Sequence, residues 1–513
     1  MGQFPIRCLA AAALLVSACA TLPPLEGREP SIALTGTQGT RLGKAVAPLA
    51  SAHPGKTGVH PLPVAADAFA ARVLLAAAAE RSIDAQYYIW HDDQTGLLML
   101  EALVNAARRG VRVRLLIDDQ NTKGMDDLLA AVAGEPNLEM RLYNPFARRS
   151  GRALGYFGDF ERLNRRMHNK AFIADNQAAI VGGRNIGNEY FGAGTEVPFK
   201  DLDVIAIGAA VRDVSAEFDL YWNSASAYPA ASIVGAAGPQ APAYLTERFA
   251  AARADPESRE YLDAVRETPL IASLLERRLE IEWANARLVC DDPAKTLDPQ
   301  RTDVLLLSQL MDGAERPSRS LDIISPYFVP GERGAEFLER LARGGVRVRV
   351  LTNSLAATDV GVVHSGYSKR RCSLARAGVQ LFELKPTAGA LDEKVKAPKG
   401  SSSGASLHAK TYAADAERIF VGSFNFDPRS ALLNTEMGLV IASPALAGRL
   451  ARSFDDTIPR NAYEVRSRSE GECIEWVERT TAGEVRHETE PGTSWLRRTW
   501  VAFVALFPID WLL

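Results

Sequence analysis

The sequence has few of the features typical of a nucleic-acid-binding protein, a metal centre or a membrane-spanning helix. Its 59 lysines and arginines are balanced by 62 aspartates and glutamates, a net charge of −3 that gives no overall attraction to nucleic acid. Histidine occurs seven times and cysteine five times, and no cysteines stand at metal-ligand spacing. The apolar stretches near both ends are too short to cross a bilayer. With 47% hydrophobic residues, the chain can still bury a substantial core.

Two of the seven histidines stand in a motif that occurs twice. A His-x-Lys-x4-Asp pattern recurs 240 positions later, and the same interval separates a small residue and an asparagine downstream of each copy. One copy comprises His168, Lys170, Asp175, Gly183 and Asn185, and the other comprises His408, Lys410, Asp415, Ser423 and Asn425. A single short motif is weak, whereas two copies in register indicate a duplicated unit with a shared chemistry.

These residue types suit displacement at a phosphodiester. Neutral imidazole can attack phosphorus and form a phospho-histidine, while a protonated imidazole on the opposite face supplies the proton. Lys170 and Lys410 follow the histidines by two positions, on the same face of an extended strand, where they can neutralise the non-bridging oxygens. The chemistry needs no metal and no cofactor. The candidates for binding the same oxygens are the downstream small residues and amides, Gly183, Asn185, Ser423 and Asn425.

The two segments MHNKAFIADNQAAIVGGRN (167–185) and LHAKTYAADAERIFVGSFN (407–425) resemble the paired HKD motifs of the phospholipase D superfamily. In that family one histidine is phosphorylated, and the other protonates the leaving alcohol and then deprotonates the acceptor. The resemblance implies that His168 is the nucleophile and His408 the general acid and base. The near symmetry of the two halves leaves the opposite order open.

Family members also place an acidic residue beyond the asparagine to orient a histidine. Glu436 fits this role in the second half, and Asp203 is its expected counterpart in the first half, although its spacing from the asparagine differs. Asp175 and Asp415 belong to the catalytic motif, where they are expected to hold the site together rather than to transfer protons. An ordinary structural salt bridge is the alternative for both.

The repeat extends beyond the motifs. RSIDAQYYIW (81–90) parallels RSLDIISPYF (319–328), and AARRGVRVRLLIDD (106–119) parallels LARGGVRVRVLTNS (341–354). Alternating strands after amphipathic helices predict an α/β fold of two pseudo-symmetric lobes with one active site at their interface. The resemblance to the phospholipase D superfamily implies that these are phospholipase D-like α/β/α lobes with mixed sheets. The predicted segments are a first lobe at 66–238, a helical insert at 239–300, a second lobe at 301–465 and a tail at 466–513. A Pro-, Gly- and Ser-rich loop at 386–405 is either a lid or an inert linker.

The N-terminus predicts export. Residues 1–18 read as a signal peptide, and LVSAC resembles a bacterial lipobox, which makes Cys19 the lipidated first residue of the mature protein. Residues 19–65 are expected to be a tether. These features predict a membrane-anchored lipoprotein facing the periplasm of a Gram-negative-type bacterium. Ala20 favours the outer over the inner membrane, and a non-lipoprotein signal is the alternative.

The remaining cysteines leave two possibilities open. With Cys8 removed and Cys19 acylated, Cys290, Cys372 and Cys473 remain. One disulfide could form in an oxidising periplasm, or all three could stay as thiols.

Two further segments suggest contact with lipid. Seven basic residues between 148 and 170 could attract anionic headgroups or could form a solvated loop. The C-terminal residues 494–513 place three tryptophans around an apolar stretch, which predicts an interfacial segment or a tail packed on the protein itself. Residues 490–495 and 354–371 resemble a lipoprotein-type cardiolipin synthase-like subgroup. The second of these supplies the candidate headgroup contacts His364, Tyr367 and Lys369.

The sequence therefore predicts an enzyme that transfers a phosphatidyl group between phospholipids and forms cardiolipin from phosphatidylglycerol with phosphatidylglycerol or phosphatidylethanolamine. The expected partners are phospholipid substrates and the membrane. Nucleic acid is not expected, and the residues identify no protein partner. The alternatives are a phospholipase D-type hydrolase, a superfamily nuclease and a non-catalytic lipid-binding lipoprotein.

Overall fold

A computed structural model of the protein describes residues 21–25, 28–194, 198–268, 270, 273, 278–298, 301, 305–311, 316–387, 406–468 and 473–513. The predicted signal peptide, Cys19 and positions 388–405 of the predicted lid or linker lie outside these residues.

The first half builds a mixed sheet in the spatial order β1-β8-β6-β5-β2-β3-β4-β9. Strands β2, β3 and β4 are parallel, and the other pairings are antiparallel. The strand bounds are β1 Thr57–Leu62, β2 Ser82–Tyr87, β3 Arg112–Asp118, β4 Leu138–Tyr143, β5 Ala171–Ala174, β6 Ala178–Gly182, β7 Phe199–Lys200, β8 Asp203–Gly208 and β9 Ala227–Pro229.

The second half repeats this order as β10-β17-β16-β15-β11-β12-β13-β18 and adds β19 and β20 at its edge. Its parallel strands are β11, β12 and β13, the equivalents of β2, β3 and β4. The bounds are β10 Glu282–Cys290, β11 Ser320–Ile324, β12 Arg347–Asn353, β13 Gln380–Leu384, β14 Ser406–Leu407, β15 Lys410–Ala414, β16 Arg418–Gly422, β17 Met437–Ala442, β18 Ala462–Ser467, β19 Ile474–Thr480 and β20 Gly483–His487.

Helices cover the faces of both sheets. Those of the first half are α1 Arg41–Ala52, α2 Ala65–Ala78, α3 Gln94–Arg108, α4 Asp126–Ala133, α5 Tyr156–Leu163, α6 Asn188–Phe191, α7 Ala209–Trp222, α8 Ala230–Val234, α9 Ala241–Ala254 and α10 Pro256–Arg266. Those of the second half are α11 Leu306–Leu310, α12 Gly331–Arg343, α13 Gly361–Ser368, α14 Arg371–Arg376, α15 Pro428–Leu432, α16 Pro444–Asp455, α17 Ile458–Asn461 and α18 Trp495–Val504. The predicted pair of α/β/α lobes with mixed sheets is thus confirmed.

The repeated sequence segments fold alike because they carry the same buried ion pairs. In the first lobe the Arg114 guanidinium lies 2.6 Å from the Asp84 carboxylate, and in the second Arg349 lies 2.6 Å from Asp322. Each pair joins the first two parallel strands, and a second carboxylate from the covering helix, Asp219 or Asp455, also contacts the arginine. A buried charge without its partner is strongly unfavourable, so these pairs fix the register of the strands.

The predicted N-terminal tether is wrong for most of its length. Arg28 donates hydrogen bonds to the Asn223 and Ala227 carbonyls, both at 2.9 Å. Helix α1 then packs near β8, and β1 enters the sheet between β8 and β10. Strand β1 therefore joins the sheets of the two lobes. Its contribution was not foreseen because both partner strands are distant in the sequence.

The boundary between the two lobes also differs from the predicted one. The predicted insert is helical over α9 and α10, but β10 belongs to the second sheet and pairs with β17. The second lobe thus begins near residue 282 rather than 301. In the predicted tail, β19 and β20 form a hairpin that extends the second sheet, and α18 follows it.

Shared core residues and short strand contacts hold the lobes together. The two-residue strands β7 and β14 pair in parallel across the interface, and Met167 forms an isolated bridge with Thr435. The hydrophobic cluster beneath them draws side chains from both lobes, including Met167, Val181, Phe218, Leu351, Met437 and Leu439. The strands that bear the two histidine motifs therefore meet over one continuous core.

Two of the three remaining cysteines are paired. Cys372 forms a disulfide with Cys473, with α-carbons 5.9 Å apart, while Cys290 stays a thiol. The bond attaches α14 to the segment leading into β19. Among the residues that the structure describes, no helix is long and apolar enough to span a membrane.

Candidate active site

Each histidine of the repeated motif is held by the opposite lobe. His168 precedes β5, and its backbone N–H donates to the Thr435 carbonyl at 2.9 Å. His408 precedes β15, and its N–H donates to the Lys200 carbonyl at 2.8 Å. Neither lobe alone can position its own histidine, so the site exists only at the interface.

The imidazoles have reciprocal carboxylate partners. His168 Nδ1 lies 2.8 Å from Glu436 Oε2, and His408 Nδ1 lies 2.6 Å from Asp201 Oδ2. In both lobes, the carboxylate belongs to the residue directly after the one whose carbonyl accepts from the histidine N–H. Such a contact fixes the ring orientation and leaves Nε2 to face a substrate.

The expectation that Asp203 orients a histidine is wrong. The Asp203 carboxylate lies 2.9 Å from the Arg72 guanidinium and 3.4 Å from that of Arg184, in a fully buried ion pair. Asp201, two residues earlier, contacts His408 instead. Residues 201 and 203 have the same strand parity, and the connection after the first asparagine is longer than in the second lobe, so spacing alone could not distinguish them.

Asp175 and Asp415 do not reach the histidines. Asp175 accepts hydrogen bonds from the Arg81 and Ser82 N–H groups at 2.7 and 3.0 Å, and Asp415 accepts them from Arg319 and Ser320 at 2.6 and 3.0 Å. Strand β5 lies between His168 and Asp175, and β15 lies between His408 and Asp415, so each aspartate stands at the other end of the strand from its histidine. As expected, these aspartates hold the motif in place, and the contacts described for their carboxylates are hydrogen bonds rather than salt bridges.

These aspartates also shape the hairpin after each catalytic strand. Asp175 and Asn176 have φ of 52° and 51°, and Asp415 and Ala416 have φ of 57° and 55°. Two successive left-handed residues form the tight turn that matches the twist of antiparallel strands. The aspartate of the motif thus anchors the turn to the first strand of its lobe.

The small residues of the motif support the carboxylates. A Cβ at Gly183 would lie 2.2 Å from Asp201 Oδ1, so only glycine lets this carboxylate approach His408. At the equivalent position, the Ser423 hydroxyl donates to Glu436. Both residues were predicted to bind substrate, and the structure places them behind the histidine partners.

The two asparagines differ in their surroundings. Asn185 accepts from the Ile89 N–H at 3.1 Å and donates to the Tyr190 hydroxyl at 3.0 Å. Asn425 is buried, and its Oδ1 has no hydrogen-bond partner in the described part of the chain. The Asn425 Oδ1 is thus open to a hydrogen bond from a donor such as a hydroxyl, whereas the Asn185 amide is occupied.

The two lysines lie against the histidines and are almost fully buried. Lys170 Nζ donates to the His168 carbonyl at 2.5 Å, and Lys410 Nζ lies 2.9 and 3.1 Å from the two ring nitrogens of His408. Burial lowers the pKa of Lys170 well below its usual value and that of Lys410 to about 8. The negative charge of a bound phosphodiester would favour the protonated forms of both lysines, which burial disfavours.

The electrostatics of the two histidines are unequal. Burial, and then the nearby lysines, lower the pKa of His168 well below its usual value, and they also lower the pKa of His408. Burial raises the pKa of Glu436 to about 7. Burial acts in the same direction on Asp201, but His408 and Lys410 outweigh it and lower the pKa of that carboxyl below its usual range. His408 therefore has a firmly ionised partner, and His168 does not.

Aromatic rings enclose both imidazoles. Tyr88 packs edge-on against His168 with centroids 4.9 Å apart, and Phe199 stacks on His408 at 5.0 Å. Tyr190 packs edge-on against His408 with centroids 5.1 Å apart. These three rings were not predicted from the sequence, although Tyr88 stands in the repeated segment 81–90.

A buried polar network lies behind the first motif and was also missed. Asn169, between the histidine and the lysine, donates to Glu217 at 2.5 Å, and so does Gln86. The Thr435 hydroxyl donates to Asn169 Oδ1 at 3.0 Å from the opposite lobe. Burial raises the pKa of Glu217 to about 8. Ala409 stands in the place of Asn169 in the second motif, so only the first histidine has this support.

The predicted headgroup contacts at residues 364–369 are used inside the protein. His364 Nε2 lies 3.1 Å from Glu490, and Lys369 Nζ lies 2.6 Å from Asp510. Tyr367 is buried against Phe328. The prediction is wrong because the partners lie more than a hundred residues away, in the C-terminal tail.

The basic segment before the first motif is likewise neutralised internally. Arg149 contacts Asp119 and Asp126, and Arg166 contacts Asp118. These ion pairs leave little free charge, so the expected attraction of this segment to anionic headgroups is not supported.

One cluster among the described residues has metal-ligand character. His91, Asp93 and Glu189 bring one ligand atom each within 4.8 Å of one another. Asp93 already accepts from the Gly96 N–H at 2.9 Å and the Asn188 N–H at 2.7 Å, as a cap for two helices.

The fold and the paired histidines define a two-lobe enzyme of the phospholipase D type. The family described as "Cardiolipin synthase, PLD-like domain" matches residues 74–222 and 307–458, once in each lobe. The chain belongs to this family, and it is a phosphatidyltransferase of the phospholipase D superfamily, similar to cardiolipin synthases. The predicted family is therefore confirmed.

Individual relatives agree with this assignment. The chain is 47% identical over 473 residues to cardiolipin synthase C of Escherichia coli (strain K12), covering 92% of this chain and all of the relative. It is 32% identical over 441 residues to an uncharacterized protein of Helicobacter pylori, covering 84% and 85% of the two chains. The crystal structure of phosphatidylserine synthase from Haemophilus influenzae shares the fold, with a TM-score of 0.55 and 14% identity over 92% of this chain and 99% of that one.

Proposed function

We propose that this enzyme forms cardiolipin by passing a phosphatidyl group from one phospholipid to the hydroxyl of phosphatidylglycerol through a phospho-histidine. The donor is phosphatidylglycerol or phosphatidylethanolamine. The observation that supports this best is the reciprocal pairing of His168 with Glu436 and His408 with Asp201 across the lobe interface. Two imidazoles held from opposite sides suit an in-line displacement at one phosphorus.

In the first step, His168 Nε2 attacks the donor phosphorus. The bond from phosphorus to the donor alcohol breaks, and the departing oxygen takes a proton from His408, which releases glycerol or ethanolamine. Lys170 and Lys410 balance the charge on the non-bridging oxygens. Burial and the nearby lysines lower the pKa of His168, which keeps the attacking imidazole neutral, while the Asp201 carboxylate, 2.6 Å from His408 Nδ1, stabilises an imidazolium at His408.

In the second step, the phosphatidylglycerol hydroxyl attacks the phosphorus. His408 takes the hydroxyl proton, and the bond between phosphorus and His168 breaks, which returns both residues to their starting states. Transfer wins over hydrolysis only where the acceptor excludes water. The exposures of His168 and His408, 7% and 6%, and the rings around them support such exclusion.

We also propose that the protein acts as a periplasm-facing lipoprotein, anchored through Cys19 and through its C-terminal segment, with the outer membrane favoured. The composition of the N-terminal residues supports the acyl anchor. The exposed tryptophans of the C-terminal segment support the second contact.

The direct test is mass spectrometry of lipids after incubation of the purified protein with phosphatidylglycerol, with and without phosphatidylethanolamine. We expect cardiolipin from the wild type and none from His168→Ala or His408→Ala. His60→Ala removes a histidine outside the site and should leave cardiolipin formation unchanged. Phosphatidic acid as the sole product would make the protein a hydrolase, and the absence of any lipid turnover would contradict the proposal.

The rate should depend on pH through three groups of the site. The attacking His168 must be neutral, so kcat/KM is lost as pH falls through its pKa, which lies well below the usual histidine value. His408 must be protonated to act as the acid, and its pKa is also lowered, so a first loss is expected as pH rises through that pKa. Lys410 must be charged, so a second loss follows as pH rises through its pKa of about 8. We expect Lys410→Arg to move this second alkaline limb upward, since guanidinium stays protonated, while Lys410→Ala is impaired at every pH. Initial rates from about pH 5 to pH 10 provide the measurement, and an unmoved limb in the arginine variant would exclude Lys410 as its origin.

A further inference from the structure

The segment before the first motif presents apolar rather than charged side chains to the outside. Phe157 is 90% exposed, and Leu154 and Phe160 are also exposed. Two arginines beside them are paired: Arg162 donates to Asp159 at 2.7 Å, and Arg152 donates to the Asp119 carbonyl at 2.8 Å. The charges of these two arginines are thus satisfied within the protein, while the apolar side chains protrude into solvent.

This segment adjoins the C-terminal segment through Arg429. The Arg429 guanidinium donates to the Asn164 carbonyl at 3.2 Å, directly after α5. The Arg429 backbone N–H donates to the Leu513 carbonyl at 3.1 Å, and its Nε donates to the Leu512 carbonyl at 3.0 Å. Exposed Leu432 lies one turn further along α15. Three separate parts of the chain therefore meet at one rim of the molecule.

The C-terminal segment exposes aromatic and aliphatic side chains along its whole length. Leu506 is 79% exposed and Trp495 is 66% exposed. Trp500, Phe503 and Trp511 are each more than half exposed. The segment is nevertheless fixed to the protein, because Lys369 binds Asp510 and Arg497 donates to the Thr358 carbonyl at 3.2 Å. These contacts fix the segment to the protein, and its exposed side chains form an apolar surface, the C-terminal ridge.

The same rim borders the histidine pair. The Arg429 guanidinium donates to Asn434 Oδ1 at 3.4 Å, directly before Thr435, whose carbonyl accepts from the His168 N–H. The Tyr156 hydroxyl at the start of α5 donates to Gln120 at 2.9 Å, next to the end of β3. The apolar side chains therefore protrude from the edge of the lobe that carries the first histidine.

We propose that Leu154, Phe157 and Phe160, together with the C-terminal ridge, form one two-part surface that inserts into the headgroup region of a phospholipid layer and holds the histidine pair against it. The inference rests on the proposed lipid substrate. A lipid layer is the occupant that fits, since the exposed side chains are Trp, Phe and Leu, the composition of membrane-interface segments. The internal ion pairs make attachment of the α5 segment apolar, so it should not depend on anionic lipid.

Vesicle flotation tests the surface separately from catalysis. The full chain carries Cys19→Ser, so that no acyl chain contributes, and is floated with phosphatidylcholine vesicles and with vesicles containing phosphatidylglycerol. Phe157→Ser/Phe160→Ser should weaken binding to both vesicle types by roughly a hundredfold, about tenfold for each ring withdrawn from the lipid. Ile32→Ser/Leu220→Ser removes two exposed apolar side chains outside the proposed surface and should bind as the parent does.

A second arm tests whether the two parts act together. Trp495→Ser/Trp500→Ser alone should weaken binding, and its combination with the phenylalanine pair should multiply the two losses, because both parts face one layer. Unchanged vesicle binding in the phenylalanine variant would overturn the proposal and would leave a protein partner as the occupant of those rings. Equal weakening in the Ile32/Leu220 control would also overturn it.

An activity readout separates failure of the surface from failure of the proposed function. On vesicle substrate the phenylalanine variant should be slower by a similar factor, while on a short-chain phospholipid below its micelle concentration it should match the wild type. Equal loss on both substrates would overturn the surface. Lack of turnover by the wild type on either substrate would contradict the proposed function alone, since flotation still tests the surface.

Discussion

His408→Ala is expected to trap a covalent intermediate on His168 when the leaving group needs no proton. With ordinary phospholipids the variant loses the general acid, and turnover should fall by roughly 10²–10⁴-fold. With a phosphatidyl p-nitrophenyl ester, the first step should proceed and release one p-nitrophenolate per enzyme. The second step then stops because no base activates the acceptor. Intact-mass and peptide mapping should locate the phosphatidyl group on His168.

The matched variant is His168→Ala, which should give no burst and no adduct with the same ester. A burst in His168→Ala, with the adduct on His408, would reverse the assigned roles. We propose the first assignment because burial and the lysines keep the His168 imidazole neutral, and because a carboxylate whose pKa is lowered contacts His408 Nδ1 at 2.6 Å.

Asp201→Asn and Asp203→Asn should damage the protein in different ways. Asp201 contacts His408 Nδ1 at 2.6 Å, so its neutral isostere loses the charge that stabilises the imidazolium. We expect kcat on phospholipid to fall on the order of 10³-fold, in line with the loss of an orienting carboxylate elsewhere, with little change in stability. Asp203→Asn leaves Arg72 and Arg184 buried without a carboxylate and should reduce the free energy of unfolding by about 3–5 kcal/mol.

Thermal unfolding and the activated ester together distinguish these outcomes. The Asp201 variant should keep its melting temperature and should retain its first-step rate on the p-nitrophenyl ester, since no proton is needed there. A merely structural role for Asp201 would impair both substrates alike. If the Asp203 variant kept its stability and lost activity only on substrates whose leaving group needs a proton, Asp203 would be the carboxylate that orients a histidine, as first predicted.

Residue identity and spacing are sufficient to predict the duplicated fold and the two histidines, and the resemblance to the family pointed to Glu436 as a carboxylate that orients a histidine. The repeat preserves strand order, so residues on equivalent strands of the two lobes meet at the interface. Asp201 could not be distinguished from Asp203 because both have the same parity, and their pairing depends on a connection whose length differs between the lobes. The partners of the motif aspartates could not be predicted because they are backbone N–H groups, which the sequence does not reveal.

The remaining errors share a cause in long-range pairing. His364 and Lys369 look available in the sequence, yet Glu490 and Asp510 approach them only once the tail has folded back. The basic segment before the first motif looks like an anionic-lipid site until Asp118, Asp119 and Asp126 are placed beside it. Local charge predicts surface character poorly where the neutralising residues come from other loops.

The position of strand β1 affects how the chain folds during its synthesis. It is synthesised before every other strand, yet it pairs with β8 on one side and with β10, from the second half, on the other. A nascent first lobe can close β1 onto β8 while residues 57–59 still present an open edge, and such edges invite pairing with other chains. Pro61 lacks an N–H and protects the far end of the strand. Stalled synthesis before residue 282 should therefore yield first lobes that associate through β1, with exchanged second halves as the characteristic misassembly.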